Sequence, residues 1–444
     1  MAVDYVYRIE QPHVSGQLAK VCQTIADARG LIGDIVTVQV GRDRSIREIS
    51  VEVGDHGAAK RVAGSLEQLP GVHVISFHDR ALLAHEGGKL EIAVRNPVTT
   101  LQEVRDIYTP GVARVCLAIA EDPPLANRFT MIGRTIAICT NGTRVLGLGN
   151  IGPVASMPVM EGKALFYRQM AGISAMPILI DTEDIEEFIE TVLRIGPGFG
   201  AIHLEDIRVP DCFEIESRLI EALDIPVMHD DVHGTAVATV AAALAACEQV
   251  GIRLEDSTVG QIGLGAAGLG IATLMAQAGA ARVIASDPDE RSHARAHERG
   301  IETGSFEDVM AQARIVVATT GQPGLITPEM VREGQVIFAL TNPDPEITPT
   351  DALAAGAAFA ADGASVNNVL GFPGIFRGAL MVGAREISTG MKLAAARAIA
   401  GLTKESELVP DALDPEVHAE VAKAVAEAAS AEGLARPERV PTGL

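Results

Sequence analysis

The chain has 444 residues, of which 48% are hydrophobic, so it is long enough for two or three domains with substantial cores. Lys and Arg number 36 against 58 Asp and Glu, and the resulting formal net charge of −22 opposes binding to a phosphate backbone, so we expect no nucleic acid partner. The five cysteines form no CxxC pair, the N-terminus lacks a secretory signal, and no apolar stretch reaches the roughly 18 residues of a membrane span, so we expect a cytoplasmic protein without disulfides, structural zinc or membrane attachment.

The first 85 residues are predicted to form a separate small domain. Its elements follow the order βαββαβ, with strands at 3–9, 34–40, 47–53 and 72–77 and helices at 17–30 and 58–70. Together with the glycine turn at 14–18, this order resembles an ACT domain, a regulatory module that often binds amino acids or other small effectors. A packing or dimerisation module without a ligand is an equally good interpretation.

The middle of the chain is predicted to change from a hairpin to a parallel sheet. Two β runs at 134–149 flank Asn141-Gly142, a dipeptide typical of type I′ hairpin turns. From residue 173 onward strands and helices alternate, which indicates right-handed crossovers and a parallel sheet. The strands predicted there are 174–181, 200–207 and 224–231, and a long buried helix is expected at 234–250.

A glycine-rich turn follows in a second α/β segment. The sequence GLGAAG at 263–268 fits GxGxxG, with a β run before it and an apolar helix after it. Such a turn brings a helix N-terminus and close backbone to a pyrophosphate. Asp287 ends the next strand, where it would accept hydrogen bonds from the ribose of NAD, although Arg291 nearby keeps NADP open. The predicted cofactor-binding residues are Gly263, Gly265, Ala266, Ala267, Gly268 and Asp287. A packing turn without a cofactor is the alternative.

Paired carboxylates mark the ends of two neighbouring predicted strands. Glu205 and Asp206 end one, and Asp230 and Asp231 end the next, so all should meet at one edge of a parallel sheet. Convergent carboxylate oxygens suit a hard dication, Mg²⁺ or Mn²⁺. Because adjacent strand residues face opposite ways, the backbone must turn at Glu205 for both neighbours to bind metal. Helix capping or ion pairing without a metal is the alternative.

Other polar residues near these strands allow acid–base chemistry. His203, His229 and His233 lack a zinc spacing such as HExxH, so we expect them to surround the ligands or to lie at the surface. Lys163 opens an apolar helix, and beside a metal its pKa would fall far enough for a general base, although a lone lysine is more often at the surface. Tyr108 lies in a turn before a helix, where position alone favours a packing role.

A set of motifs in the correct order resembles malic enzymes over about residues 100–390. These motifs are YTPGVA (108–113), TRVLGLGNIG (143–152), EGKALFY (161–167), IHLEDI (202–207), PVMHDDVHGTA (226–236), GLGAAG (263–268), ALTNP (339–343) and SVNNVLGFPG (365–374). The chain looks like the compact bacterial NAD-dependent type with an ACT-like segment in front. The turn GLGAAG and the strand end Ser286-Asp287-Pro288 depart from the family pattern, which leaves the cofactor preference less certain than the chemistry.

The resemblance implies a role for each matching polar residue. The implied roles are general base for Lys163, general acid for Tyr108, an acid–base partner for Asp230, metal ligands for Glu205, Asp206 and Asp231, and substrate carboxylate contacts for Arg144, Asn342 and Asn368. Asn342 also ends a strand of the dinucleotide fold, where an amide suits the carboxamide of the cofactor.

The resemblance also implies the architecture and the reaction. We expect an α/β protein with an ACT-like α+β domain, a substrate and metal domain, a Rossmann NAD-binding domain and C-terminal helices, at 1–85, 96–230, 231–375 and 376–444. The expected reaction is oxidative decarboxylation of L-malate to pyruvate and CO₂ with NAD⁺ (NADP⁺ open) and Mn²⁺ or Mg²⁺, in a homodimer or higher homo-oligomer. The alternatives are a malolactic-type enzyme that releases lactate, a 2-hydroxyacid dehydrogenase without decarboxylation, and an inactive effector sensor.

Overall fold

The computed structural model describes residues 3–145, 147–404 and 407–443, and the chain divides into two units, residues 1–89 and 90–444. Among the described residues, no helix combines the length and the apolar character that a membrane crossing requires.

The first unit is one antiparallel sheet with helices packed on it. Its elements are β1 (Val3–Pro12), α1 (Gln17–Asp27), β2 (Leu31–Val40), β3 (Arg44–Val53), α2 (His56–Glu67), β4 (His73–Asp79) and α3 (Arg80–His85). The sheet order is β2-β3-β1-β4. Tyr5, Tyr7 and Ile9 alternate with more exposed neighbours along β1 and share a core with α1 and α2. The expected βαββαβ order is present, and the ACT-like role stays a prediction.

The second unit begins with short helices and a parallel sheet. Its first elements are α4 (Leu101–Ile107), α5 (Gly111–Glu121), α6 (Leu125–Phe129), β5 (Thr135–Thr140), α7 (Gly152–Ala171), β6 (Ser174–Leu179), α8 (Ile185–Ile195), β7 (Ala201–Leu204), α9 (Asp211–Ala222), β8 (Val227–His229) and α10 (Asp230–Val250). The sheet order is β6-β5-β7-β8 with parallel pairing throughout, which confirms the parallel-sheet prediction.

The hairpin expected at 134–149 is wrong. β5 has parallel neighbours on both sides, β6 and β7, so no edge is left for an antiparallel return strand. Asn141 instead accepts hydrogen bonds from the backbone and hydroxyl of Thr143, and Gly142 takes a φ of 65° in the loop that leads to α7. Leu146, within the expected return strand, lies outside the described residues.

The following segment is a second parallel sheet with its helices. Its elements are β9 (Thr258–Ile262), α11 (Ala266–Gln277), β10 (Arg282–Ser286), α12 (Glu290–Glu298), β11 (Glu302–Thr303), α13 (Phe306–Gln312), β12 (Ile315–Ala318), β13 (Val336–Ala339), α14 (Pro349–Ala354) and β14 (Phe359–Asp362). The strand order β11-β10-β9-β12-β13-β14 is the 3-2-1-4-5-6 order of a doubly wound dinucleotide-binding fold, as expected from the sequence.

Helices α10, α15 (Phe372–Met381), α16 (Thr389–Gly401) and α17 (Pro415–Ala431) pack against both sheets of this unit. α10 is almost entirely buried and rich in alanine, so it approaches its neighbours closely. A Cβ atom on Gly270 of α11 would overlap the carbonyl oxygen of Val232 in α10. This contact joins the helix that starts at the carboxylates to the helix that starts at the glycine-rich turn.

Candidate active site

The backbone turns left-handed at the end of β7, which brings two adjacent carboxylates into one site. β7 ends at Leu204, and Asp206 has a φ of 55°, a conformation that non-glycine residues rarely adopt. The N–H of Asp206 donates to Oδ2 of Asp231 at 2.9 Å. In a regular strand the side chains of Glu205 and Asp206 would point to opposite faces of the sheet. The turn at Asp206 ends this alternation, as the sequence analysis required for both to bind one metal.

The second pair of carboxylates begins a helix. We expected the strand to continue to Asp231, but β8 ends at His229 and α10 starts at Asp230. Both acids occupy the first turn of a 21-residue helix, where the helix dipole stabilises negative charge. A Cβ atom on Gly234, one turn further, would overlap Oδ1 of Asp230, so this glycine leaves room for the carboxylate.

Glu205, Asp206 and Asp231 have the geometry of a cation site. One oxygen from each of the three carboxylates lies within 4.8 Å of the others. Oδ2 of Asp206 is buried and has no hydrogen-bond partner among the described residues. Burial and the neighbouring charges of Asp231 and Glu205 raise the pKa of Asp206 to about 9. Buried acids that repel one another and lack a donor fit a hard divalent cation with oxygen ligands.

Lys163 of α7 lies against two of the acids. Its Nζ is 3.0 Å from Oε1 of Glu205 and forms a second, very short ion pair with Asp230. Burial alone lowers the pKa of Lys163, but the carboxylates of Asp230 and Glu205 outweigh burial, and the net effect is a raised pKa. The field of the acids therefore dominates at Lys163, and the lowered pKa expected beside a bound metal stays a prediction.

The glycine-rich turn forms a second site on the other sheet. Gly263 has a φ of 87°, and a Cβ atom there would lie 2.7 Å from the carbonyl oxygen of Thr319. A Cβ atom on Gly268 would overlap the carbonyl oxygen of Gly263, so only glycine permits this turn. Gly265 precedes α11, whose first residues are Ala266 and Ala267. The sequence thus placed the turn correctly, and contact of its residues with a cofactor stays a prediction.

A cavity of about 690 Å³ opens at this turn. Gly263, Gly265, Asp287 and Arg144 are among the residues that line it. The carboxylate of Asp287 accepts hydrogen bonds from the N–H of Leu264 at 2.7 Å and of Asp289 at 2.8 Å. The backbone N–H of Arg144 donates to the carbonyl oxygen of Asp206 at 3.1 Å, so this residue connects the cavity to the carboxylates.

Three of the expected site residues form no polar contact with the carboxylates among the described residues. Tyr108 ends α4 and is 70% exposed. Asn342 follows β13 and is exposed beside Gly363, and Asn368 starts a short 3₁₀ turn. In the part of the chain that the structure describes, no hydrogen bond or ion pair joins Tyr108, Asn342 or Asn368 to the cluster.

Two buried residues lie beside the cluster: His203, which was expected either around the ligands or at the surface, and Tyr167, which was not singled out from the sequence. Tyr167 and His203 are both 0% exposed, the Tyr167 hydroxyl lies 2.7 Å from Nδ1 of His203, and Nε2 of His203 lies 2.6 Å from Oε2 of Glu205. Burial lowers the pKa of His203 to about 3. The spacing of Lys163 to Tyr167, four residues on a helix, was the signal available in the sequence.

Comparison with known proteins agrees with this geometry. The family model described as malic enzyme, N-terminal domain, matches residues 87–220, and the one described as malic enzyme, NAD binding domain, matches residues 288–432. A model described as D-isomer specific 2-hydroxyacid dehydrogenase, NAD binding domain, matches residues 231–323 and overlaps the second of these matches.

Curated relatives and solved structures of the same kind span most of the chain. NAD-dependent malic enzyme 1 of Bacillus subtilis (strain 168) is 51% identical over 95% of this chain and 96% of its own length. NAD-dependent malic enzyme of Geobacillus stearothermophilus is 42% identical over 93% of this chain and 92% of its own. The crystal structure of malic enzyme from Pyrococcus horikoshii Ot3 is 40% identical, covers 80% of this chain and 91% of its own, and has a TM-score of 0.76.

Proposed function

The chain belongs to the malic enzyme family, and we propose that it converts L-malate and NAD⁺ to pyruvate, CO₂ and NADH at the carboxylate cluster. The observation that carries this proposal is the contact of Lys163 with Glu205 and Asp230 next to a group of three convergent acids. The cavity at the glycine-rich turn adjoins it through Arg144.

Glu205, Asp206 and Asp231 would hold the divalent cation, Mn²⁺ or Mg²⁺. The partnerless Oδ2 of Asp206 and the raised pKa values of Asp206 and Glu205 are what a cation would correct. When bound, such a cation supplies positive charge that orients the substrate and stabilises negative charge on the oxygen at C2.

Lys163 is proposed to take the proton of the C2 hydroxyl while hydride leaves C2 for NAD⁺. Asp230 pairs with Nζ of Lys163, so it is placed to exchange that proton with the lysine. A positive charge at the three acids would offset the field that raises the pKa of Lys163 in the metal-free cluster. Loss of CO₂ from the resulting keto acid leaves an enolate, whose C3 is protonated by Tyr108. Arg144, Asn342 and Asn368 are proposed to hold the substrate carboxylates.

Tyr108 is proposed to act on the cluster of a second copy of the chain. It lies in a stretch with many exposed apolar side chains, and such a surface is typical of an interface. Those residues are Ile92, Val94, Val98, Leu101, Val104, Ile107, Leu117, Phe129 and Met131. A homodimer would cover this surface and bring the Tyr108 phenol of one chain to the cluster of the other.

Complementation between inactive variants tests this arrangement. Tyr108→Phe and Lys163→Ala are each expected to be inactive, and a random mixture of the two chains should recover about a quarter of wild-type activity, since half the dimers carry one intact site. If Tyr108 acted within its own chain, the mixture would stay inactive.

The first unit is proposed to bind a small effector, since its βαββαβ sheet resembles a regulatory module. Thermal unfolding of the full chain with each of the twenty amino acids tests the class of ligand. If no amino acid raised the unfolding temperature, the alternative of a packing or dimerisation module would be favoured.

One assay separates the candidate reactions. Malate with NAD⁺ and Mn²⁺ should give NADH and pyruvate in equal amounts, and EDTA should stop the reaction. Lactate without net NADH would indicate malolactic chemistry, oxaloacetate insensitive to EDTA would indicate a plain dehydrogenase, and no turnover would indicate a sensor. NADP⁺ in place of NAD⁺ measures the cofactor preference.

A further inference from the structure

Two pairs of side chains meet between α7 and β7. Lys163 and Tyr167 are four residues apart on α7 and therefore lie on the same helix face. His203 and Glu205, at and just beyond the end of β7, are two residues apart, the spacing of one strand face. Lys163 contacts Glu205 at 3.0 Å, Tyr167 contacts His203 at 2.7 Å, and His203 contacts Glu205 at 2.6 Å. These three contacts connect the four side chains in the order Lys163, Glu205, His203 and Tyr167.

Both ring nitrogens of His203 form hydrogen bonds to other members of this group of four side chains. As a metal ligand Glu205 would be ionised, and an ionised carboxylate only accepts hydrogen bonds, so Nε2 of His203 then donates to Oε2 of Glu205. In the neutral ring Nδ1 is then an acceptor, and the hydroxyl of Tyr167 donates to it. The hydrogen bonds therefore specify one tautomer and one ring orientation.

Aromatic rings from α15 fix these groups in place. Phe372 packs edge-on against Tyr167 at 5.0 Å between ring centroids, and Phe376 stacks on His203 at 5.6 Å. Nζ of Lys163 lies 4.6 Å from the centroid of Phe372, a cation–π distance. Since His203 and Tyr167 are fully buried, solvent does not compete for their hydrogen bonds.

We propose that His203, oriented by Tyr167, is a positioning residue that holds Glu205 in the geometry needed for cation binding. This inference rests on the proposed metal site. His203 lies within ligating distance of Glu205 and Asp230, but it is not itself a ligand, because both its nitrogens are engaged and the ammonium of Lys163 lies between those two acids. Partners that orient a ligand in this way typically change metal affinity by about 10–100-fold when removed.

The test is Mn²⁺ binding to the metal-free full-length protein, measured by electron paramagnetic resonance without substrate. Tyr167→Phe keeps the ring between Phe372 and His203 and removes only the hydroxyl. Its Mn²⁺ affinity should fall by about tenfold or more. Tyr7→Phe is the matched control, since Tyr7 is also 0% exposed and its hydroxyl donates to the carbonyl oxygen of Ala59 at 2.9 Å in the first unit. Both variants should lose thermal stability, and only Tyr167→Phe should lose Mn²⁺ affinity.

The outcomes separate this inference from the proposed function. If the wild-type protein binds no Mn²⁺, the metal site is wrong and the inference fails with it. If wild-type protein binds Mn²⁺ and Tyr167→Phe binds it equally well, only the inference is overturned. Selective ¹⁵N labelling of histidine gives a readout that needs no variant: His203 should show protonated Nε2 and unprotonated Nδ1, and the opposite tautomer overturns the inference.

Discussion

Two aspartates that follow strands of parallel sheets have opposite environments. Asp206, after β7, has a left-handed backbone, a buried oxygen without a partner among the described residues, and a pKa raised to about 9 by burial and by Asp231 and Glu205. Asp287, after β10, accepts hydrogen bonds from the backbone N–H groups of Leu264 and Asp289.

The difference distinguishes a site that needs its ligand from a site that is ready for it. Backbone strain and uncompensated buried charge each cost free energy, and they persist where function requires them. Lys163 already pairs with Glu205 and Asp230, whereas the buried Oδ2 of Asp206, which has no partner among the described residues, would be stabilised by a bound cation. At Asp287 the protein's own backbone already satisfies the carboxylate, so the glycine-rich turn keeps its shape without a cofactor. We therefore expect substitutions at the first site to lower turnover and metal affinity most, and substitutions at the second site to change only the affinity for the dinucleotide.

The largest effect is expected at Lys163. Replacing it with alanine removes the proposed base and leaves Glu205 and Asp230 without the ammonium group that pairs with them. Malate oxidation should therefore fall by about 10²–10⁴-fold. NADH affinity, measured by fluorescence, should stay close to wild type because the glycine-rich turn is untouched.

The matched variant is Lys163→Arg, which keeps the positive charge next to the acids but does not give up a proton near neutral pH. It should fold more stably than Lys163→Ala and be as inactive. Substantial turnover in Lys163→Arg would show that charge pairing, and not proton transfer, is the role of this side chain.

A smaller effect is expected in the pH dependence of stability. The pKa of Asp206 in the folded, metal-free protein is about 9, against a reference value of 3.8. Between these values the folded protein binds more protons than the unfolded chain, so the free energy of unfolding should decrease as pH rises. The contribution is present below the unfolded pKa and is lost as pH rises through the folded one.

Thermal unfolding from pH 5 to pH 9 measures this contribution. Wild-type protein in EDTA should lose stability across this range, and Asp206→Asn should lose less because its amide does not ionise. Added Mn²⁺ should stabilise the wild type more at the alkaline end, where the acids are charged. If the stability of the wild type and of Asp206→Asn changed equally with pH, the raised pKa of this carboxylate would be contradicted.

The sequence allowed most of the acidic site to be predicted, because strand ends of a parallel sheet share one edge. Glu205, Asp206 and Asp231 converge as that rule requires, and the turn at 263–268 has the glycines that its close contacts need. The hairpin prediction failed at Asn141-Gly142, since a local turn signal is outweighed when both edges of β5 are occupied by parallel neighbours.

What the sequence did not reveal depends on packing between distant segments. The pairing of Tyr167 with His203 requires the register of a helix against a strand, which no local pattern specifies. The raised pKa of Lys163 follows from burial opposed by acids that are about 40 and 70 residues further along the chain. Tyr108 was expected at the site from the family motif alone, and its 70% exposure became visible only in the structure.

The smallest effect is expected for Asp287→Asn. An amide in place of the carboxylate directs its NH₂ group at either the N–H of Leu264 or that of Asp289, so one hydrogen bond is lost and the turn loosens. Loss of a hydrogen bond to a charged group costs about 1.5 kcal/mol or more, so NAD⁺ affinity should weaken by at least about tenfold. NADP⁺ should gain relative to NAD⁺, because the negative charge that opposes a 2′-phosphate is gone.

Asp289→Asn is the control, since Asp289 caps α12 by accepting from the N–H of Arg291 and its side chain forms no hydrogen bond to the glycine-rich turn among the described residues. It should leave both affinities nearly unchanged. Mn²⁺ binding to Asp287→Asn should match the wild type, because this residue stabilises a turn on the other sheet. If Mn²⁺ affinity fell as much as NAD⁺ affinity, the two aspartates would be coupled through Arg144, and the distinction between a ligand-requiring site and a preformed one would not hold.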